Sequence, residues 1–194
     1  MPTQILRPNA AGDLTQFTHV IPSATAHYLT VDEASADGTT SYIRSAPDES
    51  NCTWSIVIKE NSTTTAAAKS ATGTFTDYTN QWTAKPSDSS AFTVTDINNL
   101  QIGVKFTGDD NPINQTDLFN IEDWPHNSGD TINSITVTAR WKSSGSPTFC
   151  FMDCTQVFAT VDYTAFVEPA ETTGPFKIKA GANVKITSGK LTIK

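Results

Sequence analysis

The side chains of this sequence that are able to do chemistry sit in acidic turns, on aromatic rings and in three cysteines. Each group points to a different task. Val31-Asp32-Glu33-Ala34-Ser35-Ala36-Asp37-Gly38 is an acidic turn, and Gly108-Asp109-Asp110-Asn111 is another. Calcium takes hard oxygen ligands from loops, supplied by carboxylates, amides and backbone carbonyls. Asp32, Glu33 and Asp37 are therefore the candidate ligands of a structural calcium, the one cofactor this sequence suggests. Neither turn has the spacing of an EF-hand loop, and Asp and Gly also build turns with no ion present. Sugars stack on exposed rings, which makes Trp124, Trp82 and Tyr78 the candidate glycan contacts. Trp124 lies in the loop-like Asp123-Trp124-Pro125-His126, whereas Trp141 continues an apolar strand face and reads as core.

Catalytic constellations are missing from the sequence. It has no Gly-x-Ser-x-Gly, P-loop, dinucleotide fingerprint or His-Glu-x-x-His. His19, His27 and His126 are scattered through turn-like sequence, and no spacing singles out a pair of carboxylates. The expectation is a protein that is not an enzyme. Cys52 is isolated and Cys150 and Cys154 flank Phe-Met-Asp, which leaves an odd thiol in any pairing. Four residues along a strand span about 13 Å, too far for a disulfide between Cys150 and Cys154. No histidine is near enough to complete a zinc pattern. The three cysteines are thus expected to serve as small buried hydrophobes.

The elements that must position these groups are strands. Thr, Ser and Asn are abundant while only 17% of residues are charged, a mixture that favours extended chain and polar turns over helix. Period-two alternation puts Trp54, Ile56 and Ile58 on one face, and Leu100, Ile102, Val104 and Phe106 on another. Ile135, Val137, Ala139 and Trp141 form a third such face, and Val157, Ala159, Val161 and Tyr163 a fourth. Ala26–Val31, Ser41–Ser45 and Phe75–Thr83 are weaker strand candidates. Thr63–Ser70 reads as a loop or strand edge, and Thr95–Leu100 as an N-cap with one helical turn. Seven or more short strands split by polar turns predict an all-β antiparallel sandwich of jelly-roll-like form.

After Tyr163 the character changes. Residues 1–168 make the predicted body, 169–175 a linker containing Pro-Ala-Glu-Thr-Thr-Gly-Pro, and 176–194 a tail. The tail holds three short alternating units, carrying Phe176 and Ile178, Val184 and Ile186, and Leu191 and Ile193. They predict a small β-meander, too small to be stable alone in water. Lys177, Lys179 and Lys185 stand between these apolar residues. Residues 1–171 hold all 20 acids and eight of the 13 Lys/Arg, a balance of −12, whereas 172–194 hold five lysines and no acid, a balance of +5. An acidic body repels phosphate, which argues against a nucleic-acid partner. A basic tail is attracted to an acidic surface, including another copy of the body. No segment approaches the ~20 apolar residues of a membrane span. Residues Met1–Leu14 lack the basic start and apolar run of a signal peptide. The expectation is synthesis in a cytoplasm, with neither membrane insertion nor export by the usual route.

Several stretches resemble jelly-roll-like structural and appendage proteins encoded in tailed-phage gene clusters. Thr3-Gln4-Ile5-Leu6-Arg7-Pro8-Asn9 with Gly12 resembles that family's first strand, and Val31-Asp32-Glu33 followed by Asp37-Gly38-Thr39-Thr40-Ser41-Tyr42-Ile43 its acidic turn and second strand. Phe92–Val104 is similar to its short helix and following strand, Asp130–Val137 to an internal strand, and Cys154–Tyr163 to the closing strand. The order departs from the family's, because the Ile132–Trp141 type of strand here follows the Asp96–Val104 type, so strand topology is not carried over. The resemblance implies a self-assembling decoration, tail or fibre subunit whose partners are other copies and other virion proteins. The alternative from the aromatic residues is a carbohydrate-binding sandwich that attaches to surface glycan.

Overall fold

The computed structural model describes residues 2–23, 25–34, 40–47, 52–108, 114–146, 149–168, 184–187 and 190–193. In chain order, β1 (Thr3–Leu6), β2 (Pro8–Thr15) and β3 (His19–Ile21) precede a one-turn helix, α1 (Tyr28–Val31). β4 (Tyr42–Arg44), β5 (Thr53–Glu60), β6 (Thr63–Lys69) and β7 (Thr76–Trp82) follow, then α2 (Val94–Asn98). β8 (Gln101–Thr107), β9 (Asn114–Ile121) and the long pair β10 (Thr131–Ser146) and β11 (Phe149–Thr164) come next. β12 (Val184–Thr187) and β13 (Lys190–Ile193) lie near the C-terminus.

The body is an all-β sandwich. One sheet runs β3-β4-β11-β10-β7, with β1 also paired to β11, and the other runs β2-β9-β8-β5-β6. Every described strand pair is antiparallel. The apolar faces read from the sequence meet in the middle. Ile56 and Ile58 of β5 and Ile102, Val104 and Phe106 of β8 join Ile135, Val137, Ala139 and Trp141 of β10 in one buried cluster. Val157, Ala159 and Val161 of β11 belong to the same cluster. Each fully buried large side chain of this kind contributes about 1.5–3 kcal/mol relative to exposure.

Two local expectations change. Ala26–Val31 is not a strand but ends in α1, where the Leu29 and Thr30 amides donate to the carbonyls of Ala26 and His27 at 3.1 and 3.0 Å. The Thr30 hydroxyl also donates to the Ala26 carbonyl at 3.2 Å. The cap of α2 is Thr93, two residues earlier than expected. Its hydroxyl accepts from the Asp96 amide while the Asp96 carboxylate accepts from the Thr93 amide at 2.8 Å, a reciprocal capping box. Val57 and Leu118 are fully buried although they lie outside the main cluster. β2 explains this. Between Ala11, opposite Phe119, and Thr15, opposite Asp117, it bulges, and the bulge lies against the Leu118 backbone. A methyl group at Gly12 would come within 2.7 Å of that backbone, and one at Gly103 would run into the Asp117 carbonyl, so both close approaches require glycine.

The cysteines correct a further expectation. Cys52, just before β5, and Cys150, on β11, form a disulfide with their Cα atoms 6.4 Å apart. It joins one sheet to the other, a contact between residues 98 apart in sequence. Cys150 and Cys154 do not pair, as their separation along a strand requires. Cys154 is a buried free thiol.

Candidate functional site

The predicted assembly element is a hairpin in its described part. β12 and β13 set Val184 opposite Ile193, Lys185 opposite Thr192 and Ile186 opposite Leu191. Phe176, Lys177, Ile178 and Lys179 lie outside the described residues. The two strands make a sheet of their own, and among the described residues neither hydrogen-bonds into either sheet of the body. A two-stranded ribbon has two backbone edges, and among the described residues no strand pairs with either.

The body's own sheet edges differ. At one edge of the five-stranded sheet, Asp117 of β9 is fully buried and holds the chain that follows β2. Its Oδ1 accepts from the Gln16 and Phe17 amides at 2.6 and 2.9 Å, and its Oδ2 pairs with His27 Nδ1. The Thr116 amide donates to Gln16 Oε1 at 2.8 Å. On the same side Gln101 Nε2 donates to Asp13 Oδ1 at 3.0 Å, and Lys59 pairs with Asp13 Oδ2. At the opposite edge β6 pairs with β5 in an uninterrupted register from Thr63 to Lys69. Thr64, Ala66 and Ala68 are exposed.

An aspartate hydrogen-bonded to a histidine is half of a nucleophile-activating array. Among the described residues, however, no hydroxyl or thiol hydrogen-bonds to His27. Cys154 is no substitute. Burial pushes its thiol up to about 12, and the Asp117 and Asp153 carboxylates add to the rise, so it stays protonated at neutral pH.

A cation–aromatic cluster occupies the six-stranded sheet near the disulfide. Arg44 Nε and Nη2 donate to Asp153 at 2.5 and 2.9 Å, and the Ser144 hydroxyl donates to the same carboxylate at 2.9 Å. Lys142 Nζ stands 3.7 Å from it. Donating these hydrogen bonds to Asp153 raises the pKa of the Arg44 guanidinium above its usual value. Arg44 also lies over the rings of Phe151 and Tyr42, with 4.3 and 5.1 Å to their centroids. Beside the disulfide, Cys52, Thr53, Trp54, Ala68, Lys69, Ser70 and Ala71 line an open cleft of about 440 Å³.

The predicted glycan contacts do not come together. Trp124, expected in an exposed loop, is only 7% exposed. Its indole N–H donates to Asp130 at 3.1 Å, its ring meets Tyr163 edge-on at 4.9 Å, and His126 packs on both. The ring turns inward because its N–H finds Asp130 there and the ring itself meets Tyr163 and His126. Tyr78 and Trp82 are half-buried on β7, and Tyr78 stacks on Trp141 at 4.5 Å. Of the predicted calcium ligands, Asp37 lies outside the described residues. The backbone carbonyl of Glu33 accepts from Arg7 at 2.8 Å and from Gln156 at 2.5 Å, and that of Asp32 accepts from Arg7 at 3.4 Å. A guanidinium thus meets the carbonyls of this turn. Among the described residues no group of three or more His, Cys, Asp or Glu side chains is placed to hold a metal ion.

Sequence reading missed β9 and Asp117, because an acid in mid-strand breaks the apolar alternation. It also missed the disulfide, whose two cysteines are far apart in sequence. Asp117 followed by Leu118-Phe119 was the one local signal available, a lone acid next to core residues. No family model, curated protein or solved structure matches the chain.

Proposed function

We propose that this chain is a self-associating structural subunit, of the kind that decorates heads or builds tails and fibres in tailed-phage particles, joined to its neighbours through its C-terminal hairpin. One observation carries the reading: β12 and β13 form a two-stranded sheet that, among the described residues, bonds to neither sheet of the body. A ribbon of that size needs a surface to cover it, and its open edges are suited to adding onto a sheet of another copy. Charge supports the same contact, since the +5 of residues 172–194 complements the −12 of residues 1–171. The contact is therefore weakened by salt, with a screening length of about 8 Å at physiological ionic strength.

Light scattering on the full chain and on residues 1–168, at low and high salt, tests this. The full chain is expected to assemble at low salt and to lose mass both on truncation and on raising the salt. An unchanged assembly after truncation overturns the role of the hairpin, and a full chain that stays monomeric overturns self-association itself.

A further inference from the structure

We infer that β6 is a second assembly joint, at which two copies of the body pair edge to edge, antiparallel about Ala66, into one continuous sheet. The inference stands apart from the hairpin contact, because it uses only the sandwich. β5 and β6 are joined by the two-residue turn Asn61-Ser62, with Asn61 at φ 53°. A turn of that length closes on a hydrogen-bonded pair, here Glu60 with Thr63. Thr63, Thr65, Ala67 and Lys69 consequently bond to β5, and the N–H and C=O groups of Thr64, Ala66 and Ala68 point away from the sheet.

Natural edges are normally guarded by bulges, charges, proline or a covering element. Along Thr63-Thr64-Thr65-Ala66-Ala67-Ala68 there is no proline, no charge and no break in register. The other edges differ: β2 starts at Pro8 and bulges, β1 and β3 have only four and three residues, and β7 carries the exposed Asp77 and the bulky Trp82.

The same strand complements itself. Around a two-fold axis at Ala66, Ala66 faces Ala66 of the second copy and Thr64 faces Ala68. These are the residues whose backbone groups point outward, so each free N–H meets a free C=O. Thr63 faces Lys69, so no like charges are opposed, and the small side chains let the backbones approach. A second copy is thus the occupant that fits, in an isologous contact. The two bodies are both acidic, so this joint strengthens with salt, opposite to the hairpin contact.

Opposed charges at Ala66 test it on the full chain at high salt. Ala66→Glu and Ala66→Lys are each expected to raise the dimer Kd about tenfold or more, since like charges across the axis repel. An equimolar mixture is expected to restore the wild-type mass. Because Ala66 is exposed, circular dichroism spectra that match the wild type and a cooperative thermal transition confirm that both variants fold. Three results overturn the inference: a wild-type chain that is monomeric at high salt, variants that keep the wild-type mass, and a mixture that stays dissociated. The last result would mean that something other than β6, such as the hairpin, sits on this edge. Loss of association on removing residues 169–194, with no effect at Ala66, would leave the hairpin reading standing and remove this one.

Discussion

The two edges of the five-stranded sheet are built on opposite principles. At the β2 edge the chain bulges at Gly12–Leu14 and α1 packs alongside. Polar groups there are satisfied from several directions, by Asp117, Gln16, Gln101 and Asp13. At the β6 edge a regular run of Thr and Ala ends the sheet, and among the described residues no strand pairs with its outward side. Both strands meet the same geometric need on their inner side, so the difference lies in what faces outward. A guarded edge belongs to a surface that must stay single, and a bare one to a surface that can be joined.

The largest effect is expected from breaking the guard at Asp117. Asp117→Ala leaves the Gln16 and Phe17 amides and His27 without their buried acceptor, a loss of about 3–5 kcal/mol. Denaturant unfolding measures it, and a change below about 1 kcal/mol would show that β2 is held by packing instead. Cutting the staple on the β6 side comes next. Cys52→Ser removes a cross-link that closes a loop of 98 residues, which is expected to cost about 2–4 kcal/mol. Mass spectrometry of the unreduced chain must first show the bond, and a mid-point that does not move on reduction would discount its role. The smallest effect is expected at Asp13, which is 58% exposed where it meets Lys59. Solvent screens that pair, so Asp13→Ala is expected to change stability by less than about 1 kcal/mol. A larger loss would mean that the bulge depends on this residue and that the guard is more local than Asp117 implies.

Much of the sandwich was legible in the sequence because its signals are local. Ile102-Gly103-Val104-Lys105-Phe106 and Ile135-Thr136-Val137-Thr138-Ala139 alternate, and alternation is a direct consequence of side chains pointing to opposite faces of a strand. β9 was illegible for the same reason. Asp117 lies on the buried face among apolar neighbours, and its place makes sense only once His27 and the amides of residues 16–17 are brought to it from about 100 positions away. Trp124 shows the converse: its sequence context is that of a loop, and the loop turns inward because Asp130, Tyr163 and His126 converge on it.

By itself the sequence determined which segments extend, which face of each is apolar, and how charge divides between body and tail, because these depend on residue type and on the two-residue period of the strand. The tertiary structure alone decided which cysteines meet, which ring is covered, and which edges are guarded or bare. Those outcomes depend on contacts between residues far apart in the chain, and no local pattern encodes a partner's position.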